Sequence, residues 1–491
     1  MKRPTPLLQR PTLLSCWFRW GGLVGSLFVA LLMSVPCLAA EATKPNIVFV
    51  LFDDMGWGQP QSYLADSALR TPNLDRLTHE GMRFTDAHSA AAVCTPTRYG
   101  LLTGRYPWRI GQFGVLTTYS QPIIPTTRLT VATLLKQSGY ATACIGKWHL
   151  GLNWVDGKPG TEKLVPVGAK TTDGPIALGF DYFCGYTHAR NIGSVIEQDR
   201  VAANVAAVEN QPLMLRKAVE WIDARAKSGE PFFLYFPMCP PHTPVVPAPE
   251  YAGKSGAQDL VGKDPEYGDW LYQGDAMLGQ ILVALERNRL ADNTLVIATS
   301  DNGAEHRAYQ PLRASKRSIY EGGHRVPFVA RWPGKVKPGS VNDHTICLND
   351  LMATAAEIVG AKLTDNGGED SVSLISELLG TAKRPAHEAT VHQSSSGDLA
   401  IRQGPWKLVF LKDGSRELYN LGTDLSETKD VLSANADVAA KLTALMQSYI
   451  DRGRSTPGAP QKNDVAVSLS GGMGRAKKAG KAGKRAAPKV D

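Results

Sequence analysis

The body of this chain opens on a continuous apolar run, Ile47-Val48-Phe49-Val50-Leu51-Phe52, which ends directly in two acids. Such a run is typical of a strand buried on both faces, as in a parallel sheet covered by helices. Further strands are predicted at 82–84, 140–147, 231–237 and 294–300. Helices are predicted between them, at 71–80, 125–138, 211–228 and 270–288. This alternation predicts an α/β fold with a large, mainly parallel sheet sandwiched between helices.

The pattern changes after about residue 380. Short strands, joined by glycine-containing turns, are predicted at 399–403, 406–412 and 416–419, and a helix is predicted at 435–452. We therefore expect a smaller C-terminal subdomain with an antiparallel sheet and one helix. A chain of 491 residues, 43% of them hydrophobic, is long enough for both units. The predicted segments are a signal peptide at 1–40, an α/β domain at 44–380, the C-terminal subdomain at 381–455 and a disordered basic tail at 456–491.

The two ends of the chain carry its positive charge. The first forty residues combine Lys2, Arg3, Arg10 and Arg19 with an apolar run over 21–35, which is typical of a secretory signal peptide. The other end is rich in glycine, alanine and lysine, and the body between the ends is slightly acidic although the net charge is +8. We therefore expect a secreted or periplasmic protein with no stable membrane span and no specific nucleic-acid partner. A signal anchor is the alternative for the first segment.

The seven cysteines leave the oxidation state of the body open. Cys16 and Cys37 belong to the predicted signal peptide, and Cys94 is set apart by its surroundings. The remaining four are Cys144, Cys184, Cys239 and Cys347. They permit two disulfides in an oxidising compartment, and four free buried thiols fit equally well.

Acidic side chains stand at the ends of two predicted strands. Asp53 and Asp54 follow the first apolar run, and Asp301 and Asn302 follow the strand at 294–300. Ligand sites of open α/β sheets collect at the carboxyl ends of the strands, so we expect these side chains to converge. Three carboxylates and one amide form an all-oxygen set suited to a hard divalent cation, Ca²⁺ before Mg²⁺.

Cys94 stands at the predicted start of a short helix. Thr95 and Pro96 suit the cap and the first turn, and Gly104 suits the exit. The free N–H groups of a helix start attract an anion, and Arg98 adds a positive charge on the same face one turn later. The pattern indicates a reactive cysteine beside an oxyanion site. A buried structural thiol is the alternative for this segment taken alone.

Cys94-x-Pro96-x-Arg98, followed by Leu102-Thr103-Gly104-Arg105, resembles the signature of the formylglycine-dependent type I sulfatases of the alkaline phosphatase superfamily. In that family an export-linked formylglycine-generating enzyme oxidises the cysteine to an aldehyde. The resemblance extends over roughly 45–449 and implies an alkaline-phosphatase-like fold. It also implies a Ca²⁺ site formed by Asp53, Asp54, Cys94, Asp301 and Asn302.

Three further segments carry the resemblance. Lys147 and His149 stand in the hexapeptide at 146–151, His242 stands in a proline-rich loop, and Lys316 precedes a Glu-Gly-Gly-His segment. The resemblance implies that Lys147 and His149 contact the modified side chain and the sulfate. It further implies that His242 protonates the leaving group and that Lys316 binds the bridging oxygen. It implies that Arg98 helps to stabilise the sulfate oxygens.

The segment at 180–188 resembles the family more loosely. Some relatives have a serine that contacts the site where this chain has Thr187, and His188 follows it.

The resemblance implies a sulfatase that hydrolyses sulfate monoesters, with sulfated sugars favoured over aryl esters or steroids as substrates. A phosphate or phosphonate monoester hydrolase of the same superfamily is the main alternative, because a metal and several cations also accept a phosphoryl ester. A non-catalytic binder of sulfated glycans is the second alternative, expected where the cysteine stays unmodified. For the basic tail, contact with polyanions and the absence of a specific partner are both open.

Overall fold

The computed structural model describes residues 44–256, 266–305 and 307–469. The predicted signal peptide at 1–40 and residues 470–491 of the predicted tail lie outside the described residues. No helix within the described ranges is long and apolar enough to cross a lipid bilayer.

The described ranges contain sixteen strands and nine α-helices. The strands are β1 (Asn46–Asp53), β2 (Met82–Phe84), β3 (Ala87–His88), β4 (Ala141–Lys147), β5 (Tyr182–Tyr186), β6 (Ser194–Glu197), β7 (Arg200–Asn204), β8 (Phe232–Pro241), β9 (Thr294–Ser300), β10 (Phe328–Arg331), β11 (Ser340–Asn342), β12 (Ile346–Cys347), β13 (Thr390–Gln393), β14 (Leu399–Gln403), β15 (Trp406–Phe410) and β16 (Arg416–Asn420). The helices are α1 (Pro72–Glu80), α2 (Cys94–Thr103), α3 (Val131–Gln137), α4 (Ala207–Ser228), α5 (Tyr267–Arg287), α6 (Glu321–His324), α7 (Leu351–Ile358), α8 (Ile375–Leu378) and α9 (Ala436–Asp451).

Ten of the strands form one large sheet in the order β11-β2-β10-β9-β1-β8-β4-β5-β6-β7. Its central strands, from β9 through β1, β8 and β4 to β5, are all parallel. On one side β10 pairs antiparallel with β9 and β2, and on the other β6 pairs antiparallel with β5 and β7. The predicted large sheet with helices is therefore confirmed. The short flanking strands make it a mixed sheet with a parallel centre.

The two faces of β1 explain its continuous apolar run. Val48, Val50 and Phe52 belong to a core that also contains side chains of α1, α4 and α5. Ile47, Phe49 and Leu51 belong to a second core, shared with α2, α3 and α7. Each of these six side chains is at most 1% exposed, and burial of a side chain of this size contributes about 1.5–3 kcal/mol. Helices therefore cover both faces of the sheet.

A second, smaller sheet follows in the chain. Strands β13 to β16 form a four-stranded antiparallel sheet. Leu399, Ile401 and Leu408 of this sheet pack in one cluster with Leu442 and Met446 of α9. The predicted C-terminal antiparallel sheet with one helix is therefore confirmed.

The helix predicted at 125–138 is shorter than expected, because only α3 is helical. The side chain of Thr130 accepts a hydrogen bond from the N–H of Thr133 at 3.0 Å and so begins the helix. The residues before it turn back, with the N–H of Arg128 donating to the carbonyl of Pro125 at 2.9 Å. Pro125 therefore opens a turn, a position that suits proline as well as the first turn of a helix does.

Residues 456–469, which we expected to belong to a disordered tail, pack against the body. The N–H of Asp464 donates to the carbonyl of Arg109 at 2.8 Å, and the Asp464 carboxylate accepts from Arg105 at 3.0 Å. Val467 and Leu469 lie in the apolar cluster of the second sheet. The boundary predicted at 456 is therefore wrong, since two buried arginines and an apolar cluster hold this segment in place.

The buried pair Arg109–Asp370 beneath this segment offers a test of stability. The guanidinium donates two hydrogen bonds to the carboxylate, each at 2.7 Å, and both side chains are fully buried. We expect Asp370→Asn to lower the free energy of unfolding by about 3–5 kcal/mol, because it leaves a buried positive charge unpaired. Denaturant unfolding measures this. Asp464→Asn, at a carboxylate that is 58% exposed, is the control and should cost about 1 kcal/mol or less; equal losses would contradict the argument.

Candidate active site

The predicted acidic residues meet at the carboxyl edge of the parallel strands. Asp53 ends β1, Asp301 follows β9, and these two strands are neighbours in the sheet. The N–H of Asp54 donates to the carboxylate of Asp301 at 3.1 Å, and the amide of Asn302 donates to the carboxylate of Asp54 at 2.7 Å. All four side chains are at most 1% exposed. The backbone of Asp54 is left-handed (φ 70°), which turns the chain out of the strand.

Arg98 reaches the same cluster from α2. Its guanidinium donates to the carboxylate of Asp301 through Nη2 at 2.7 Å and Nε at 3.1 Å. A third hydrogen bond, of 2.9 Å, runs from Nη1 to the carbonyl of Lys147. Burial and the Asp53 charge raise the pKa of Asp301 to about 6, although the charge of Arg98 opposes this. Arg98 therefore ties the end of β9 to the end of β4.

Two lysines contact the remaining acids. Lys147 donates to the carboxylate of Asp53, and Lys316 donates to the carboxylate of Asp54 at 2.6 Å. Burial opposes ionisation of Asp54, but the charge of Lys316 holds the pKa of Asp54 below its usual range. Counting Arg98 and Asp301, three buried cations face three buried carboxylates. The cluster thus has no excess charge of its own.

Cys94 is the first residue of α2 and is 1% exposed. Val93 is the N-cap residue, so the expected cap at Thr95 is wrong; the Thr95 hydroxyl instead donates to the carbonyl of His149 at 3.0 Å. The sulfur of Cys94 and carboxylate oxygens of Asp53 and Asp301 all lie within 4.8 Å of one another. Burial raises the pKa of the Cys94 thiol, and the two lysines oppose this. Burial therefore disfavours the thiolate form although the thiol stands among charges.

His149 lies beside the cysteine with one ring nitrogen free. Its Nε2–H donates to the carbonyl of Leu116 at 2.9 Å, and its buried Nδ1 has no hydrogen-bond partner among the described residues. Burial and the charge of Lys147 hold the pKa of His149 well below its usual range. The ring stacks on that of His188 at 5.6 Å between centroids. His149 is therefore a neutral imidazole with an available acceptor nitrogen.

His242 is presented by the loop after β8. The indole of Trp270 donates to the His242 carbonyl at 2.9 Å, and the His242 Nδ1 contacts the carbonyl of Thr243. Its Nε2 stands 3.7 Å from the carboxylate of Asp54. Burial lowers the pKa of His242 to about 3, with Asp54 opposing and Lys316 adding to the shift. Nε2 is thus the nitrogen available to a ligand.

These groups form the floor of one open pocket of about 430 Å³. The predicted residues that line it are Cys94, Lys147, His149, His242 and Lys316. The other five lie beneath them, in contact with one another: Asp53, Asp54, Arg98, Asp301 and Asn302. The structure therefore brings all ten predicted site residues into one cluster.

Sequence reasoning missed part of the pocket wall. Glu305 accepts from Lys316 at 3.0 Å and also pairs with Arg317, and Arg190 and His188 also line the pocket. Glu305 follows Asn302 by three positions in one loop, and that spacing was the only signal in the sequence. His188 ends the segment at 180–188, whose resemblance to the family is loose, and nothing in the sequence indicated Arg190.

Three other histidines, His88, His324 and His392, form a second buried cluster. The Nδ1 atoms of His88 and His324 are 3.0 Å apart, and the rings of His324 and His392 stack at 4.2 Å. The other nitrogens of these rings have protein partners, namely Asp86, Ile319, Ser89 and Thr390. The cluster is therefore a hydrogen-bonded element of the core.

The acidic cluster has the composition and the free oxygens of a cation site. The Oδ1 atoms of Asp53 and Asn302 are buried and have no hydrogen-bond partner among the described residues. Leaving a buried acceptor unpaired costs about 1–3 kcal/mol. Two unpaired oxygens in one acidic cluster therefore point to a ligand that binds there. An all-oxygen donor set of this kind fits a hard divalent cation. The residues present therefore fit calcium.

The mixed sheet with its parallel centre, its covering helices and its pocket at the strand ends defines an alkaline-phosphatase-like α/β enzyme. The sequence profile of the family described as Sulfatase matches residues 45–361. The chain belongs to the sulfatase family and is a sulfuric ester hydrolase.

Individual relatives agree with this assignment. The N-acetylgalactosamine-6-O-sulfatase of Bacteroides thetaiotaomicron is 31% identical over 498 residues, which cover 84% of this chain and 94% of that protein. Arylsulfatase A of Homo sapiens is 34% identical over 423 residues, or 79% of this chain and 78% of its own. A solved structure described under the metabolism of multiple glycosaminoglycans by Bacteroides thetaiotaomicron has a TM-score of 0.73 at 29% identity, covering 82% of this chain and 99% of that one.

Proposed function

We propose that this chain is an exported, calcium-binding sulfatase that hydrolyses sulfate esters of sugars with a formylglycine made from Cys94. The position of Cys94 carries the proposal: it starts α2, lines the pocket and lies within 4.8 Å of the acids of the cation site. A purely structural thiol has no need of three buried cations around it. The signature around Cys94 supports oxidation by a formylglycine-generating enzyme during maturation, and the segment at 1–40 supports export.

In this proposal, two groups that are not ordinary side chains complete the site: a formylglycine and a calcium ion. Formylglycine supplies the nucleophilic hydroxyl of a hydrated aldehyde, and its second hydroxyl allows the sulfate to leave without a trapped ester. Calcium, held by Asp53, Asp54, Asp301 and Asn302, supplies polarisation of a sulfate oxygen. A divalent cation added to a cluster without excess charge leaves the pocket positive. That sign suits an anionic sulfate ester.

The cations of the chain have separate tasks in this proposal. Lys147 and Lys316 line the pocket, where their ammonium groups stabilise the oxygens of the sulfate as charge shifts in the transition state. Arg98 was expected to share this task, but its donors are used on Asp301 and on the carbonyl of Lys147. We therefore assign Arg98 to positioning: it holds one metal ligand and the end of the strand that carries Lys147.

The two histidines handle protons. The contact of Nδ1 with the Thr243 carbonyl leaves Nε2 of His242 to donate a proton to the departing alcohol. The low pKa of the unliganded His242 rises when an anionic sulfate ester offsets the two lysine charges. The unpaired Nδ1 of His149 accepts a proton from the second hydroxyl of the modified Cys94. Burial keeps His149 neutral and so keeps this nitrogen available.

Sulfated sugars are the substrate class that we propose. The relative from Bacteroides thetaiotaomicron is named as an N-acetylgalactosamine-6-O-sulfatase, and an open pocket of about 430 Å³ admits a sugar ring. The test is release of sulfate from N-acetylgalactosamine 6-sulfate by exported protein, with 4-nitrophenyl phosphate as the competing substrate. Faster release of phosphate than of sulfate would move the chain to the phosphatase alternative, and release of neither would leave it a glycan binder.

Loss of His242 is expected to depend on the leaving group. His242→Ala should lower kcat/KM about 10²- to 10⁴-fold for sugar sulfates, whose alcohols are basic, and far less for aryl sulfates, whose phenols depart without a proton. Lys316→Ala should show the same trend, because Lys316 is proposed to contact the bridging oxygen. The measurement is kcat/KM plotted against the pKa of the leaving group.

Lys147→Ala is the matched control for this plot. Lys147 acts on the transferring group, so its loss should depress all substrates by a similar factor. If the plot for His242→Ala runs parallel to that of the parent enzyme, the acid role passes to His149.

A further inference from the structure

Arg190 lies on a wall of the pocket that the proposed chemistry does not use. It is the middle residue of a one-turn helix over Ala189–Asn191, just beyond the carboxyl end of β5. Strand β5 pairs in parallel with β4, and Tyr186 at its end stands opposite Lys147. Arg190 therefore lies at the same edge of the sheet as the site. It lines the pocket together with Cys94 and is exposed to solvent.

The backbone that carries Arg190 is held from below. Asn191 is fully buried, accepts from the Thr187 hydroxyl at 2.9 Å and donates to Ser194 at 3.2 Å. The N–H of Arg190 itself donates to Nδ1 of His188 at 3.3 Å. The turn is therefore anchored on both sides of the arginine. Only the guanidinium is left to reach into the pocket.

Among the cations of the pocket, Arg190 differs in its partners. Lys147 pairs with Asp53, while Lys316 and Arg317 share Glu305. Within the described ranges, the guanidinium of Arg190 makes neither a hydrogen bond nor an ion pair. Burial, with help from the charges of Lys147 and Arg190, lowers the pKa of the neighbouring His188 to about 4, although Glu162 opposes this. Of the consecutive lining residues His188, Ala189 and Arg190, only Arg190 therefore carries a permanent charge.

We propose that Arg190 binds a second anionic group of the substrate, a carboxylate or a further sulfate ester on the same or the adjacent sugar. The inference rests on the proposed sulfatase function and narrows its substrate class. A guanidinium presents parallel N–H donors that match either group, and it cannot lose its charge. A substrate with one sulfate and no other charge leaves these donors without a partner. Arg190 is therefore a specificity-determining residue that does not touch the reacting bond.

The test compares three sugars that share one scissile sulfate. They are N-acetylgalactosamine 6-sulfate, its 4,6-disulfate, and a disaccharide in which a uronic acid adjoins the 6-sulfated sugar. We expect Arg190→Gln to raise KM and lower kcat/KM about 10- to 100-fold for a doubly anionic sugar. The change on the monosulfate should stay within about twofold. A loss confined to the disulfate identifies a sulfate as the bound group, and a loss confined to the disaccharide identifies a carboxylate.

Arg216→Gln is the matched control. Arg216 lies on α4, is 61% exposed and does not line the pocket of the active site. Arg190→Lys should recover part of the preference. Equal losses on all three sugars, or no loss on any, would overturn the inference. Calorimetry can measure how tightly the same sugars bind to the parent protein and to Arg190→Gln. This measurement tests the inference about Arg190 independently of turnover. A parent that binds but releases no sulfate would refute the proposed function and leave the binding comparison valid.

Discussion

Replacement of Cys94 by alanine is expected to abolish sulfate release, lowering kcat by about 10⁴-fold or more. The side-chain carbon of Cys94 is the proposed site of the aldehyde, so alanine removes the nucleophile while it leaves the lysines and the acids in place. Alanine also fits the first turn of a helix without strain. The measurements are kcat on a sugar sulfate and the mass of the tryptic peptide at 84–98. The parent peptide should carry the oxidised residue.

Cys94→Ser refines this test. Serine keeps a hydroxyl at the same place but lacks the second hydroxyl, so we expect at most one event per molecule and a stable sulfate ester on the peptide at 84–98. Cys347→Ala removes another fully buried thiol and should keep its activity, which controls for the loss of a core sulfur. Active parent protein with only unmodified thiol in that peptide would refute the role of Cys94.

Loss of a proposed calcium ligand is the second large effect that we expect. Asp301→Ala should lose both bound calcium and about 10³-fold or more of kcat, because it removes a ligand and leaves Arg98 without its carboxylate. Calcium content by elemental analysis and kcat on a sugar sulfate measure the two losses. Chelation of the parent should abolish activity, and added calcium should restore it.

Asn302→Ala separates metal binding from charge. The Asn302 oxygen is unpartnered among the described residues, and its removal changes no net charge, so we expect weaker calcium binding that higher calcium concentrations rescue. Asn46→Ala, at the opposite end of β1 from the acids, is the control and should bind calcium normally. Full activity after exhaustive chelation, or two zinc ions in the site, would favour the phosphatase alternative.

Four of the five central strands, β1, β4, β8 and β9, were predictable because their signal is local, whereas the five-residue β5 was missed. Strands such as β1 and β9 are long, apolar and bounded by turn residues, so burial alone explains them. Strands of three to five residues at the flanks of the sheet, such as β2, β7 and β10, carry too few residues for a period to emerge. We predicted β2 from Met82 and Phe84 but missed β7 and β10. Their pairing depends on neighbours that are distant in the chain.

The residues of the site also fall into a group that the sequence predicted and a group that it did not. The acids could be placed together because neighbouring parallel strands end at one edge, and the signature motifs identified Cys94, Lys147 and Lys316 as their companions. Arg190 stands on a one-turn helix that the buried Asn191 anchors, and Glu305 stands on the loop after β9. Apart from the three-residue spacing between Asn302 and Glu305, nothing in the sequence connects these positions to the strand ends. The floor of the pocket could therefore be predicted from the sequence, and the wall residues proposed to select the substrate could not.

The burial of α2 constrains when the proposed oxidation of Cys94 can take place. All ten residues from Cys94 to Thr103 are buried, and the segment that carries the signature is helical. Cys94 is only 1% exposed once this helix is packed, so little of the thiol is left for another enzyme to reach. On the proposed function, oxidation of Cys94 therefore precedes folding. On this proposal, a chain that folds before the oxidation keeps an unmodified Cys94, so the yield of active enzyme depends on the rate of oxidation relative to the rate of folding.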